Sequence, residues 1–350
     1  SGDAAALKQL TVEMEEHCEI GRLLDLDVLD PRGEKMERQS LGLMPRRCLI
    51  CGGPAWACAR SRSHSVQELR QKTETMLRQA FARQDAQTVA GLACRSLLYE
   101  VCVTPKPGLV DRKNSGSHRD MDVFTFLDST AALLPYFEEA VRLGMETRNL
   151  PPQETFRRLR QAGAAGERAM FRATGGVNTH KGAVFTLGTV CAAAGRLWTA
   201  EGFSKDLDAA LALCGEMSAR AVQKDFEAIR REGAHTTGQR LYLEHGLEGI
   251  RGELSRGLPA VAQIGLPTLR HRLEAGDSLE QAGVQVLLAL MAQVVDTNLI
   301  ARGGLEGQQW AMEQTKNLTQ GRAVLQEEAE KLDRALIERN LSPGGCADLL

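Results

Sequence analysis

Aromatic residues are scarce in this chain, at 4%, and the charges nearly cancel, leaving a net −2 at pH 7. That balance gives no sign of bulk nucleic-acid or anionic-membrane binding, so any basic site must be local. No apolar run reaches the length needed to span a bilayer. Ser1-Gly2-Asp3 is not the start of a secretory signal, and Ser1-Gly2 reads as a cloning remnant. There is no internal repeat, low-complexity tract or P-loop. What the 350 residues do hold is an ordinary 43% of hydrophobic residues, with Ala, Leu, Gly and Glu plentiful. This favours helices over sheet and a core large enough for one large domain or two smaller ones. Nine cysteines, mostly single, with Cys94, Cys102, Cys191 and Cys214 in helix-like apolar settings, point to a reducing, cytoplasmic protein.

One stretch organises the rest. Thr174-Gly175-Gly176-Val177-Asn178-Thr179-His180-Lys181-Gly182 precedes an apolar run from Ala183 to Leu197. The paired glycines admit backbone angles closed to other residues, and Asn178 is a good N-cap. A glycine turn opening a helix gathers free N–H groups where the macrodipole favours an anion. Lys181 adds charge there, and His180 adds a donor or proton carrier. Two readings stand, a phosphate site and an ordinary capped core helix.

Residues 1–65 differ in character. Leu24, Leu26 and Val28 alternate with Asp25 and Asp27, which predicts a half-buried strand with both acids on one face. That face is either a Mg2+ site beside a nucleotide or the wet side of an edge strand. Cys48-x2-Cys51, Cys58 and His64 follow, a set able to hold tetrahedral zinc. The spacing is looser than a standard finger and Arg60 and Arg62 crowd it, which favours the other reading, reduced thiols without metal. Residues 66–88 read as a solvated helical connector, with the domain boundary there. Residues 89–350 read as all-helical. The expected fold is thus mainly α, a large helical domain preceded by a small α+β fragment.

Within the helical part, Thr104-Pro105-Lys106-Pro107-Gly108 stops the first core helix. A loop dense in ligand-type groups, Asp111 to Asp122, comes next. Helices are expected around Val123–Val141, Gln153–Arg172 and Lys205–Arg231, and a last one over Glu306–Glu338. Gly283–Ile300 is apolar on every side until Asp296, where a buried carboxylate needs a cation or a partner. Arg302 and Arg251 are the candidate partners.

The motifs Thr104–Asp111, Gly116–Asp122, Gly175–Gly182, Gly238-Gln239-Arg240, Gly249–Glu253, Asp296-Thr297-Asn298 and Asn340–Asp348, in this order, resemble triphosphoribosyl-dephospho-CoA synthases over about residues 90–350. Gly21–Val28, Arg47-Cys48-x2-Cys51 and Cys58-Ala59-Arg60 resemble the C-terminal half of holo-citrate lyase synthase, a phosphoribosyl-dephospho-CoA transferase. Ile250 and Cys346 depart from the synthase pattern, and the family's closing apolar helix is missing, so the C-terminus reads as truncated beside Asp348.

The resemblance implies that the 2′-hydroxyl of dephospho-CoA attacks the anomeric carbon of ATP, that adenine leaves and that the triphosphate stays on the product. It implies an ATP and phosphate site at Lys106, Gly175, Gly176, Asn178, Thr179, Lys181, Arg251 and Arg302. Mg2+ would be held by Asp120, Asp122 and Asp296, and in the fragment by Asp25 and Asp27. Glu100, Asp111 and Glu167 are candidates for the base or for stabilising an oxocarbenium-like transition state. His180 and His118 are candidates at adenine. The plain alternatives are a surface lysine at 106, carboxylates that only neutralise arginines, and structural histidines. The implied partner is the citrate lyase acyl carrier subunit. The same reaction serving malonate decarboxylase, or an idle CoA-binding or carrier-docking helical module, are the alternatives.

Overall fold

A computed structural model describes residues 3–199, 201–320 and 322–350, and every structural statement here refers to them. Ser1 and Gly2 lie outside the described residues. The chain divides into two units, residues 3–85 and 86–350.

In the first unit, α1 (Ala4–His17) is capped by Asp3, whose side chain accepts from Ala5 N–H. α2 (Ala55–Ser61) is short. The strand predicted around residues 24–28 does not form; its pairing is confined to the end of the segment, where Val28 O accepts from Met36 N–H at 2.8 Å, while side chains hold the rest, such as Arg46 on Leu24 O at 2.6 Å. α1 supplies the partners of Leu26. Leu26 N–H donates to Glu15 at 2.6 Å and Leu26 C=O accepts from Lys8 Nζ at 2.9 Å. The alternation itself is real, with Val28 buried and Asp25 and Asp27 exposed. Only isolated bridges, such as Leu29 with Lys35, represent β structure among the described residues.

The connector and the first core helix are one helix, α3 (Val66–Cys102). Nothing between them breaks a helix, because both segments are rich in Gln, Arg, Ala and Leu. The second unit continues with α4 (Val123–Thr147), α5 (Pro152–Ala173) and α6 (Lys181–Arg196), which pack on one another. α4 and α6 approach until backbone meets backbone. A Cβ on Gly144 would strike Ala192 O, and one on Gly195 would strike Val141 O. Tyr136 of α4 crosses the seam and donates to Val184 O at 2.7 Å.

Then come α7 (Leu207–Glu232), α8 (Thr237–His245), α9 (Gly249–Ser255), a π-helical turn (Val261–Gly265) running into α10 (Leu266–Glu274), and α11 (Leu279–Met291). The single last helix expected over 306–338 is two helices, α12 (Thr297–Thr319) and α13 (Gln326–Glu338). Gly304, at φ 66°, kinks α12. A four-residue helix, α14 (Gly344–Ala347), follows the second Gly-Gly turn. One apolar core runs through this unit, with Phe137, Met217, Leu254, Leu287 and Leu290 among its buried side chains.

Candidate active site

Four chain segments meet at the start of α6: the loop after α3, the α6 N-terminus, the α12 N-terminus and α14. The loop is built from inside. Asp111, buried, accepts N–H bonds from Lys106 (3.0 Å), Lys113 (2.7 Å) and Asn114 (3.0 Å). Asp333 on α13 accepts from Gly108 N–H at 2.9 Å and Asn114 Nδ2 at 3.0 Å. So fixed, the loop turns Lys106 inward. Its side chain is 1% exposed and its Nζ lies 2.5 Å from Glu100 Oε1 of α3. Lys106 is therefore no surface charge, and Glu100 balances a lysine rather than an arginine.

Gly175 (φ 63°) and Gly176 (φ 95°) do take left-handed angles. Their turn closes α5, with Gly176 N–H donating to Phe171 O at 2.7 Å, and neither glycine lines a cavity. Asn178 Oδ1 accepts from Lys181 N–H at 3.3 Å. The amides of Gly182 and Ala183 follow, spent on no earlier carbonyl. Gly182 and Ala183 line a cavity. Lys181, about half exposed, pairs with Glu167 at 3.4 Å.

His180 is buried, with Nδ1 2.6 Å from Ser129 Oγ. Ser129 Oγ accepts from Thr179 Oγ1 at 2.7 Å. His180 Nε2 is buried and has no hydrogen-bond partner. Burial, and secondarily Lys106, push the imidazole down to about 3, so it stays neutral. His118 is committed elsewhere, between Arg302 Nη2 (3.2 Å) and Ser342 Oγ (2.9 Å). Arg302 also donates to Ser117 O at 2.8 Å.

Asp296 forms no pair with Arg302 or Arg251. Its carboxylate caps α12, accepting from Asn298 (2.7 Å) and Leu299 (3.2 Å), and also from Cys346 N–H (2.7 Å). Burial nonetheless raises its pKa. Asp122 caps α4 through Thr125 and faces solvent. Arg251 pairs with Asp225 at 3.6 Å. In the first unit Asp25 pairs with Arg46 (2.7 Å) and Asp27 with Lys35 (2.8 Å).

Two cavities adjoin here. The first, about 510 Å³, has mostly apolar walls from Leu97, Phe126, Leu187, Val190, Leu211 and Leu258, with Glu100, Lys106, Asp120, His180 and Arg302 among its polar groups. The second, about 900 Å³, is lined by Glu167, Arg251, Arg256, Glu248, Gln263 and Asp296. Asn178, Lys181, Gly182, Asn298, Asp348 and Leu349 line both. Among the predicted residues, Glu100, Lys106, His118, Asp120, Thr179, His180 and Arg302 thus share the first cavity, while Glu167, Arg251 and Asp296 share the second. Asp111, Asp122, Gly175 and Gly176 line neither.

The sequence reading gave Asp348 no role. Its carboxylate has no hydrogen-bond partner among the described residues and lies against Gly182, where a Cβ would collide with it. Burial, then Asp296 and Glu100, push it up to about 8. The signal in the sequence was the Gly344-Gly345 turn. Its two glycines leave room for Asn298 and Asp296 and seat α14 on the start of α12.

Comparison with known proteins agrees across the chain. Residues 86–350 match the family described as CitG: ATP:dephospho-CoA triphosphoribosyl transferase. Residues 1–80 match CitX: apo-citrate lyase phosphoribosyl-dephospho-CoA transferase. Protein CitXG of Haemophilus influenzae is 38% identical, covering 99% of this chain and 76% of that protein. Protein CitXG of Leuconostoc mesenteroides is 36% identical, covering 100% of this chain and 77% of its own. The 2-(5''-triphosphoribosyl)-3'-dephosphocoenzyme-A synthase of Pectobacterium atrosepticum is 44% identical, over 73% of this chain and 83% of that enzyme. No solved structure matches. By the match over residues 86–350 and by these relatives, the chain belongs to the ATP:dephospho-CoA triphosphoribosyl transferase family, with a CitX-type segment fused ahead of it.

Proposed function

We propose that the two cavities hold ATP and dephospho-CoA together, and that the triphosphoribosyl group passes between them at the α6 N-terminus. The observation carrying this reading is the junction itself. Two cavities of substrate size share one polar edge, made of Lys181, Gly182, Asn298 and Asp348. A transfer between two large substrates needs such a point.

The bond broken is the N-glycosidic bond of ATP, and the bond formed joins the dephospho-CoA 2′-oxygen to the same anomeric carbon. Asp348 takes the hydroxyl proton. It is the carboxylate at the junction with no protein partner, and its raised pKa suits a base working near neutrality. With Ser129 donating to Nδ1, His180 offers a hydrogen bond from Nε2–H to the adenine ring as the electron pair moves onto it, and the leaving adenine takes its proton from solvent, to which Asp348 then releases the one it took; a neutral imidazole serves here as a hydrogen-bond donor, not as an acid. Glu100, beside Lys106, supplies negative charge near the developing oxocarbenium ion. The triphosphate is gripped by Lys181 and the Gly182 and Ala183 amides, with Lys106 and Arg302 on one wall and Arg251 on the other.

The acids Asp120, Asp122 and Asp296 do not gather at one point, since two of them serve as helix caps. That suits Mg2+ carried in on the nucleotide, which is normally held by substrate phosphates and one or two carboxylates. Asp120, on the wall of the first cavity, is the carboxylate that would help hold it, and the ion would offset phosphate charge. The fused CitX-type segment favours citrate lyase over malonate decarboxylase as the beneficiary, with the lyase acyl carrier subunit as its partner. Nine free cysteines support a reducing, cytoplasmic setting, and no described helix is long and apolar enough to cross a membrane. The test mixes protein, Mg2+, ATP and dephospho-CoA. Free adenine with triphosphoribosylated dephospho-CoA is the expected outcome. ADP or AMP would replace this reading with phosphoryl or nucleotidyl transfer, and tight dephospho-CoA binding without turnover would replace it with the idle module.

A further inference from the structure

The first unit carries a second cluster, independent of the reaction above. Cys48, Cys51, Cys58 and His64 each bring one ligand atom to a common point, all within 4.8 Å of one another. Cys51 and Cys58 sulfurs stand 3.4 Å apart. That is too far for a disulfide, whose sulfurs lie about 2.05 Å apart. It is near the roughly 3.7 Å expected between two thiolates on one tetrahedral zinc with bonds of about 2.3 Å.

The backbone around the cluster is shaped for thiolates. A bridge between Arg47 and Pro54 closes a tight hairpin. Cys48 N–H donates to Gly53 O at 2.6 Å, and Gly52 turns the chain at φ 72°. Ile50 N–H points at Cys48 Sγ, 3.4 Å away. Such N–H···S contacts offset negative charge on sulfur. α2 then delivers Cys58, and Arg62 at φ 50° reverses the chain to bring His64 back. His64 Nε2 is buried and has no hydrogen-bond partner. A buried polar atom without a partner calls for an explanation, and a bound cation supplies one.

The unit also has little apolar core. Among residues 3–85 the buried hydrophobic side chains are Val28, Cys48 and Ala80. Small units with so little core are commonly stapled by a disulfide or a metal. We propose that Cys48, Cys51, Cys58 and His64 bind one Zn2+. Three soft thiolates and one imidazole in a tetrahedral set select zinc over hard cations. With all four positions taken by protein, the ion is structural and joins the 47–54 hairpin to the start of α3.

The test uses the full chain, isolated under reducing conditions without added metal. Elemental analysis is expected to give one zinc per chain. After chelator stripping, added Co2+ should produce the intense visible and thiolate charge-transfer bands of tetrahedral cobalt. Cys58→Ser should lose the zinc, whereas Cys18→Ser, outside the cluster, should keep it. Zinc far below one equivalent without a tetrahedral cobalt spectrum overturns the proposal. So does a Cys51–Cys58 disulfide in the isolated chain, or full zinc content in Cys58→Ser.

Discussion

Asp348 is the side chain whose change should say most. Asp348→Asn keeps size and shape but cannot take a proton, so adenine release should fall about 10²–10⁴-fold, the usual worth of a positioned base. In the parent enzyme kcat/KM should rise with pH toward about 8, where the carboxylate ionises, and the variant should lose that limb. Stability runs the other way. The folded-state pKa lies above the ordinary carboxylate value of 3.8, so this group's contribution is greatest below that pH and is lost as pH rises through 8. Thermal melts at alkaline pH should therefore find Asp348→Asn the more stable protein. Lys181→Ala should weaken ATP binding by about 1.5 kcal/mol, the low end for bonds to charged groups, because the side chain is 54% exposed and solvent screens it. Unchanged affinity in calorimetry would remove Lys181 from the phosphate grip. The placing of Lys106, His180, Lys181 and Arg302 near one another was legible in the order of the motifs. That Asp111 and Asp122 serve the backbone was not, since a carboxylate in a loop reads alike whether it faces a ligand or its own N–H groups.

At the level of elements, helix type was easier to read than helix ends. α4, α5 and α7 follow apolar periodicity, and each starts at a Pro or Asp visible in the sequence. α3 reads in sequence as two segments because a charged surface stretch and a core stretch have different compositions yet the same helical propensity. The division of the last helix is hard to read because Gly304 and the ends of α12 and α13 carry weak local signals. The π-helical turn at Val261–Gly265, whose Val261 and Ile264 face the cavities, had no sequence signal at all. The α4–α6 crossing is a long-range property that only packing reveals. Gly195→Ala places a methyl group against Val141 O and should destabilise the second unit by about 1–3 kcal/mol. Urea denaturation should show a lower midpoint at unchanged slope.

For the whole molecule, the proposed seating of the two substrates in two cavities with a shared edge predicts that both must be present before chemistry begins. Initial-rate plots at varied ATP and dephospho-CoA should intersect rather than run parallel, and no ribosylated enzyme should accumulate with ATP alone. Parallel lines would mean a covalent intermediate and a different job for Asp348. The oily lining of the first cavity carries a last consequence. A sugar cation is trapped by whichever nucleophile stands nearest, and Leu187, Val190, Leu211 and Leu258 give a stray water molecule nothing to hold on to. On the reading proposed above, these walls favour the acceptor hydroxyl over water as the trap for that cation.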